Sequence, residues 1–357
     1  MAAIPPVQPG LSYAPAGTRP EPAAVVGHGG GHGVAGAVVQ TADAVDAAIV
    51  DPLMAALTEA LATAATRQNG LAPLLADLEA LLARPDLPQS VRDAAQALMN
   101  LRLPASGLNG ATLQQAVARS GMFLEAMLAS GKLPADVAAS DNIKSALQAL
   151  RGALQSYLGI ETAPADLHVA PPLPPFRGSL PVAQPPVPAS IVDTSLRQAA
   201  TTVLSQTDAA IARHVMLQIA SLPASQQPSH PPDDHTQRLV FDIPLVTPQG
   251  TAVMQLQIER EMPRERGQPQ EPVWSVRFAV DIEPLGAVRA RVSQIGDKTS
   301  VTMVADKPAS AVALQEHIAL LQIGLTRAHL QPGDLHCLSH EAPKAVAPQG
   351  QFVNRAS

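Results

Sequence analysis

Residues 271–336, EPVWSVRFAVDIEPLGAVRARVSQIGDKTSVTMVADKPASAVALQEHIALLQIGLTRAHLQPGDLH, decide the fold. Trp274, Val276, Phe278, Val280 and Ile282 alternate with Val273, Ser275, Arg277, Ala279 and Asp281. A period of two gives each set its own face of a half-buried strand. Pro284-Leu285-Gly286 turns the chain, and Val288, Ala290 and Val292 then alternate with Arg289, Arg291 and Ser293. Gly296-Asp297 turns it again, into a run where Val301, Met303 and Ala305 alternate with Ser300, Thr302 and Val304. Such a series is an antiparallel meander. Lys307-Pro308 ends it, Pro being tolerated in the first turn of a helix. Ala311, Leu314, Ile318, Leu321, Leu325 and Ala328 then recur at three- and four-residue steps, which predicts one long amphipathic helix covering the sheet. Pro332-Gly333 stops that excursion, and Leu335 and Cys337 supply the inward positions of a last short strand. Strand, helix and strand make a right-handed crossover if the two strands are parallel.

Working outward, Leu239, Phe241, Ile243 and Leu245 alternate, Thr247-Pro248-Gln249-Gly250 turns, and Ala252, Met254, Leu256 and Ile258 alternate back. A hairpin therefore opens the domain, with Pro244 predicting an edge strand. Residues 260–272 read as a charged loop. The expectation for 238–340 is an α+β domain: an antiparallel hairpin and meander with one covering helix and a returning strand. Residues 341–357 read as a disordered tail.

Upstream the chain changes character. Residues 1–40 are rich in Pro, Gly and Ala without an apolar period, and disorder is expected there. Residues 41–160 form an Ala-rich helical region. Its first helix carries Val45, Ile49, Leu53, Leu57 and Leu61, with Pro52 as a kink or the true start. Helices at Leu71–Ala83, Gln89–Leu101, Asn109–Ser130 and Asn142–Leu158 follow, suggesting a loose bundle of short helices. The prolines of 161–190 favour polyproline II and a semi-rigid linker. A helical segment over 191–222 and a second linker over 223–237 lead into the domain.

Aromatic residues are 2% of the chain, charged residues 15%, and 35 of its 357 residues are Pro. Hydrophobic content is 46%, but much of it is Ala, which buries little area, so burial per residue is expected to be low. A net charge of −6 speaks against nucleic-acid binding, which needs a concentrated basic face. Cys337 excludes an internal disulfide and reads as a buried, inert thiol. Met1–Gly10 lacks the basic and apolar regions of a Sec signal, and no stretch approaches the roughly 18 apolar residues of a membrane span. Neither a cleaved leader nor membrane insertion is expected.

No chemistry-bearing motif survives scrutiny. The run Gly27-His28-Gly29-Gly30-Gly31-His32-Gly33 follows no strand and lacks a Gly-Lys-Ser/Thr ending. Gly296-Asp297-Lys298-Thr299-Ser300 is flanked by strands on both sides, as a hairpin turn is. His317, His329, His336 and His340 with Asp334 lack metal or acid-base spacing, and Asp281 and Glu283 read as strand-end surface charges. A hydrolase built on the His cluster is the disfavoured reading. No catalytic, cofactor or metal residue is assigned, and no enzymatic activity is expected.

The block Leu285-Gly286, Val288, Ala290, Val292, Ala305, Leu314, Ile318 and Leu321 resembles the C-terminal domain of the flagellar hook-length control protein (FliK) family. The segment Leu113–Glu125, containing Ser120-Gly121-Met122-Phe123-Leu124-Glu125, resembles a second block of FliK-like chains. Two departures stand out: Pro284 abuts Leu285 directly, and His329 occupies a position where a helix-ending Gly is usual. The second is mild, since His enters the left-handed region more readily than most residues. The resemblance implies a protein of hook-length control, with 1–40 as an export signal and 238–340 as the substrate-specificity-switch domain. Its implied partner is the cytoplasmic domain of the flagellar export gate protein FlhB, with hook and hook-cap proteins as further candidates. The implied location is the cytoplasm, then export through the flagellar type III apparatus. Pro284, Leu285, Gly286, Val288, Ala290, Leu314, Ile318 and Leu321 are its candidate partner-binding residues. Leu320 and Ile323, off the inward helix stripe, join them as exposed apolar neighbours. The alternative is a cytoplasmic scaffold or adaptor carrying a FliK-like domain.

Overall fold

Among the described residues one seven-stranded sheet has its strands in chain order. They are β1 (Leu103–Pro104), β2 (Thr236–Thr247), β3 (Gly250–Glu261), β4 (Val273–Ile282), β5 (Gly286–Ile295), β6 (Lys298–Ala305) and β7 (Gln331–Ser339). The computed structural model describes residues 42–122, 142–160, 170–176, 178–222, 236–262 and 271–340. The expectations for 1–40, 123–130, 161–169, 223–235, 263–270 and 341–357 lie outside them. The chain divides into a unit at residues 1–47, of which only the opening of helix α1 (Ala42–Arg67) is described, and a unit at 48–357. α1 runs through Pro52 rather than starting at it.

The hairpin and meander pair as their alternation dictates, with Phe241 opposite Leu256, Leu256 opposite Phe278 and Phe278 opposite Ala290. β7 returns parallel to β6, as Val301↔Leu335 and Met303↔Cys337 show. This register stacks Phe241, Ile243, Leu256, Phe278, Ala290 and Met303 on one apolar face. The opposite face carries Asp242, Gln255, Gln257, Arg277, Asp281 and Arg289.

Helix α4 (Gly110–Ala118) covers the apolar face, laying Leu113, Ala116 and Val117, with Met122 beyond its end, over Phe241, Ile243 and Leu256. Its Asn109 cap accepts from the Ala111 and Thr112 amides at 3.0 Å. The helix expected over Asn109–Ser130 ends at Ala118. Ser120 Oγ donates back to Val117 O at 2.7 Å, and Gly121 turns away with φ +82, where a side chain would meet Asn142 Oδ1.

β2 is not a bare edge, contrary to the expectation from Pro244: β1 pairs beside it at Leu103↔Leu245 and Pro104↔Val246. The added strand begins just past Pro244, whose nitrogen has no hydrogen to donate.

On the polar-face side lie α2 (Leu71–Leu82), α3 (Gln89–Met99), α5 (Ile143–Leu158) and α6 (Leu196–Ala220). Their shared core is leucine-rich: Leu74, Leu78, Leu81, Leu147, Leu150 and Leu154 are buried together with Val253 of β3. Ala95, Ala146, Ala199 and Ala200 are buried among them, small enough for helices to approach closely. A loose bundle is therefore not what forms. The alanines set spacing, and the leucines supply the apolar area.

The Pro-rich stretch also differs from a spacer in its described part. The β3–β4 register ends at Gln255↔Ala279, and two residues on Val253 pairs with Gln184 instead. The two exchange backbone hydrogen bonds of 3.1 and 2.9 Å. Ser190 then donates through N and Oγ to the buried Asp77, which also accepts from Gln206 Nε2 at 2.7 Å. The described residues of 170–190 thus form a strap tied to both sheet and helices.

Candidate interaction face

The helix expected over the C-terminal sheet is two helices, α7 (Pro308–Glu316) and α8 (Ile318–Arg327). His317 separates them with φ −96 and ψ 5, its Nδ1 lying 2.8 Å from Ala313 O. The apolar stripe survives the break: Ala311 is buried, and Leu314, Ile318, Leu321 and Leu325 are half-buried. Ala328, at the end of the stripe, is exposed. Ala311 and Leu314 pack on Val288, Ala305 and Val280. α8 ends as the sequence allows, with His329 at φ +60 standing in for the usual Gly.

The other side of this pair carries unpartnered apolar surface. Val312, Leu320 and Ile323 are 60%, 63% and 47% exposed, and none of α8 is fully buried. Leu320 and Ile323, three residues apart, share one side of α8. Exposed apolar residues grouped on one element mark interaction surfaces more often than isolated ones do.

The turn Pro284-Leu285-Gly286 is pinned to the start of α7. Lys307 Nζ donates to both Glu283 carboxylate oxygens at 3.0 Å and to Pro284 O at 3.3 Å. Ser310 Oγ donates to Leu285 O at 2.7 Å. Gly286 is buried with φ +70, and a Cβ there would meet the Lys307 side chain. Turn and helix start therefore move together.

The predicted site residues separate by burial. Val288 and Ala290 lie in the core and support the helices from behind, and Gly286 is likewise enclosed. Strand alternation turns all three inward, toward α7. Leu314 packs on the sheet, and Ile318 and Leu321 are half-buried. Pro284, Leu285, Leu320 and Ile323 remain on the surface.

Acidic groups gather at the same end of the sheet. Burial, with Glu283 and Asp306 nearby, pushes the Asp281 carboxyl above its ordinary range, against the opposing pull of Lys307. Arg289 is held by Asp306 at 3.2 Å. Cys337 is half-buried rather than buried, and burial raises its thiol pKa. Among the described residues, no three His, Cys, Asp or Glu side chains gather as a metal site. No described helix is long and apolar enough to cross a membrane.

This unit, from β4 through α7 and α8 to β7, coincides with a family match over residues 263–345. The matching model is that of the flagellar hook-length control protein FliK. The FliK match begins after the β2–β3 hairpin and does not include residues 113–125. Leu113, Ala116, Val117 and Met122 nevertheless pack on the sheet that the matched strands continue. No curated protein and no solved structure matches the chain.

Proposed function

We propose that this protein is a non-enzymatic regulator of flagellar hook length and of export specificity. Residues 238–340 contact the cytoplasmic domain of the export gate protein FlhB, and that contact switches export from rod and hook subunits to filament subunits. The observation that carries this reading is the FliK-family match over residues 263–345. The exposed apolar side of α7 and α8, with Leu320 and Ile323, supplies the contact, and the Lys307-pinned turn presents Leu285 beside it. A transient contact suits the purpose, since a switch must release as well as bind.

The protein begins in the cytoplasm and leaves through the flagellar type III apparatus, with residues 1–40 as its signal. Passage through a narrow channel requires α2, α3, α5 and α6 to come off the sheet. Once extended, residues 1–237 span at most about 800 Å, at roughly 3.3–3.6 Å per residue. Hook length then depends on how much of that chain stays helical, at ~1.5 Å per residue.

The test is export and switching in cells carrying Leu320→Asp in the full chain, with gate binding measured on the purified protein. Overlong hooks without filaments, together with weakened gate binding at unchanged melting temperature, are expected. Retention in the cell whether or not the export apparatus works would instead make the protein a scaffold or adaptor.

A further inference from the structure

β7 is the last strand of the sheet, with β6 on one side and no described strand on the other. The β6–β7 register shifts between Thr299 and Val301 and then holds from Val301↔Leu335 to Ala305↔Ser339. Just past its end, His340 N donates to Ala305 O at 2.8 Å. Successive residues of a strand turn their N–H and C=O groups to opposite sides, so this bond orients the rest. His336 and Leu338 turn theirs toward β6. Leu335, Cys337 and Ser339 turn theirs outward, and no hydrogen bond to a described residue takes these groups up. Carried back through the antiparallel pairs, the same alternation turns Val253 of β3 away from β2. There Gln184 of the strap meets its N–H and C=O at 2.9 and 3.1 Å.

An open strand edge is a template for pairing, and proteins blunt such edges with Lys, Pro or a covering segment. This chain covers open backbone elsewhere with short extended pieces of itself, β1 on β2 and Gln184 on Val253. At β7 it does not. Residues 335–339 contain neither Lys nor Pro, and Leu338 and Ser339 are exposed. α7 and α8 pack over β7, so the open edge adjoins the surface assigned to the gate contact. Leu335 and Cys337 lie opposite Val301 and Met303, on the helix-covered face with Ala305, while His336 lies on the other face.

We propose that the gate contact is made by strand addition: an extended segment of the partner pairs with the outward edge of β7. It exchanges backbone hydrogen bonds with Leu335, Cys337 and Ser339. Its side chains alternate, apolar beside Leu335 and Cys337 and polar beside His336. This assignment rests on the export-switch reading and gives that contact its mode of recognition.

The test is amide-resolved hydrogen exchange of the full chain, alone and with the purified cytoplasmic domain of FlhB. In the free chain the Leu335, Cys337 and Ser339 amides should exchange fast while those of His336 and Leu338 are protected. The gate domain should slow the three outward amides by about tenfold or more. Ser339→Pro removes one outward N–H and should weaken gate binding by about tenfold or more at an unchanged melting temperature, whereas Ser339→Ala should bind as the parent does. Gate binding that leaves the three amides fast, or that Ser339→Pro does not weaken, overturns strand addition and leaves the export-switch reading standing. Protection of the three amides in the free chain also overturns it. Absence of gate binding by the parent chain overturns both.

Discussion

Arg213 Nε donates to Asp242 Oδ2 at 2.6 Å, with only 1% and 2% of the two side chains exposed. The pair joins α6 to β2, and Asp242 also accepts from Gln184 Nε2 of the strap and Gln255 Nε2 of β3 at 3.1 and 3.0 Å. Arg213 donates further to Gln68 Oε1 at 3.0 Å and Leu173 O at 3.3 Å. One ion pair thus ties helices, strap and hairpin. Removing one partner leaves the other charged and dry. Arg213→Met or Asp242→Asn alone should cost about 3–5 kcal/mol in urea unfolding, and Arg213→Met with Asp242→Leu should cost less than either alone. The helical and sheet signals should melt together in the parent protein.

Val288→Asp and Leu320→Asp should separate stability from recognition. Val288 is buried between the meander and α7, and a carboxylate there should cost at least about 3 kcal/mol, read by thermal unfolding. Leu320 is exposed, so its substitution should shift stability by less than about 0.5 kcal/mol. An unfolded Leu320→Asp protein would mean that α8 is buried on both sides.

Asp281 makes stability depend on pH with a definite sign. Its carboxyl is raised in the folded protein above 3.8, first by burial and then by Glu283, so the folded state holds the proton more tightly than the unfolded chain. Stability is therefore lost as pH rises from the ordinary carboxylate range through the raised value. Asp281→Asn should melt higher than the parent at neutral pH, and the gap should close below about pH 4. A gap that widens on acidification would contradict this environment for Asp281.

Gly286→Ala should cost about 1–2 kcal/mol from the left-handed backbone alone. The new methyl would also press on Lys307 Cε, at 2.8 Å, and disturb the link from Glu283 to α7. Measuring the variant in a Lys307→Ala background separates the two effects, because only the backbone share should remain there.

The strands were legible because their faces differ: Phe278 against Arg277 and Ala290 against Arg291 fix alternation, and alternation fixes register. His329 was legible for the same kind of reason, a local conformational preference. The break at His317 was not, since neither Pro nor Gly marks it and the stripe Leu314-Ile318-Leu321 continues across it. Arg213 and Asp242 look like surface charges in sequence, and only a contact between residues 29 apart reveals them as interior. The strap was read as a spacer because its prolines signal extension alone, whereas its role comes from Gln184 meeting Val253 across the sheet. The exposure of Leu320 and Ile323 was legible from their place off the stripe, and the inward placement of Val288 and Ala290 from their alternation with Arg289 and Arg291.

From β2 onward each strand lies beside its immediate predecessor in the chain, and the turns between β2 and β3, β4 and β5, and β5 and β6 are short. Closing short loops costs little entropy, and local pairing is fast. Much of the helical layer meets the sheet through distant contacts such as Arg102 Nη1, just past α3, to Thr251 Oγ1 of β3, 149 residues apart. Assembly consequently has two clocks. The meander can zip up strand by strand as the chain emerges, and the interval before the long-range contacts close is when the polar face stands open.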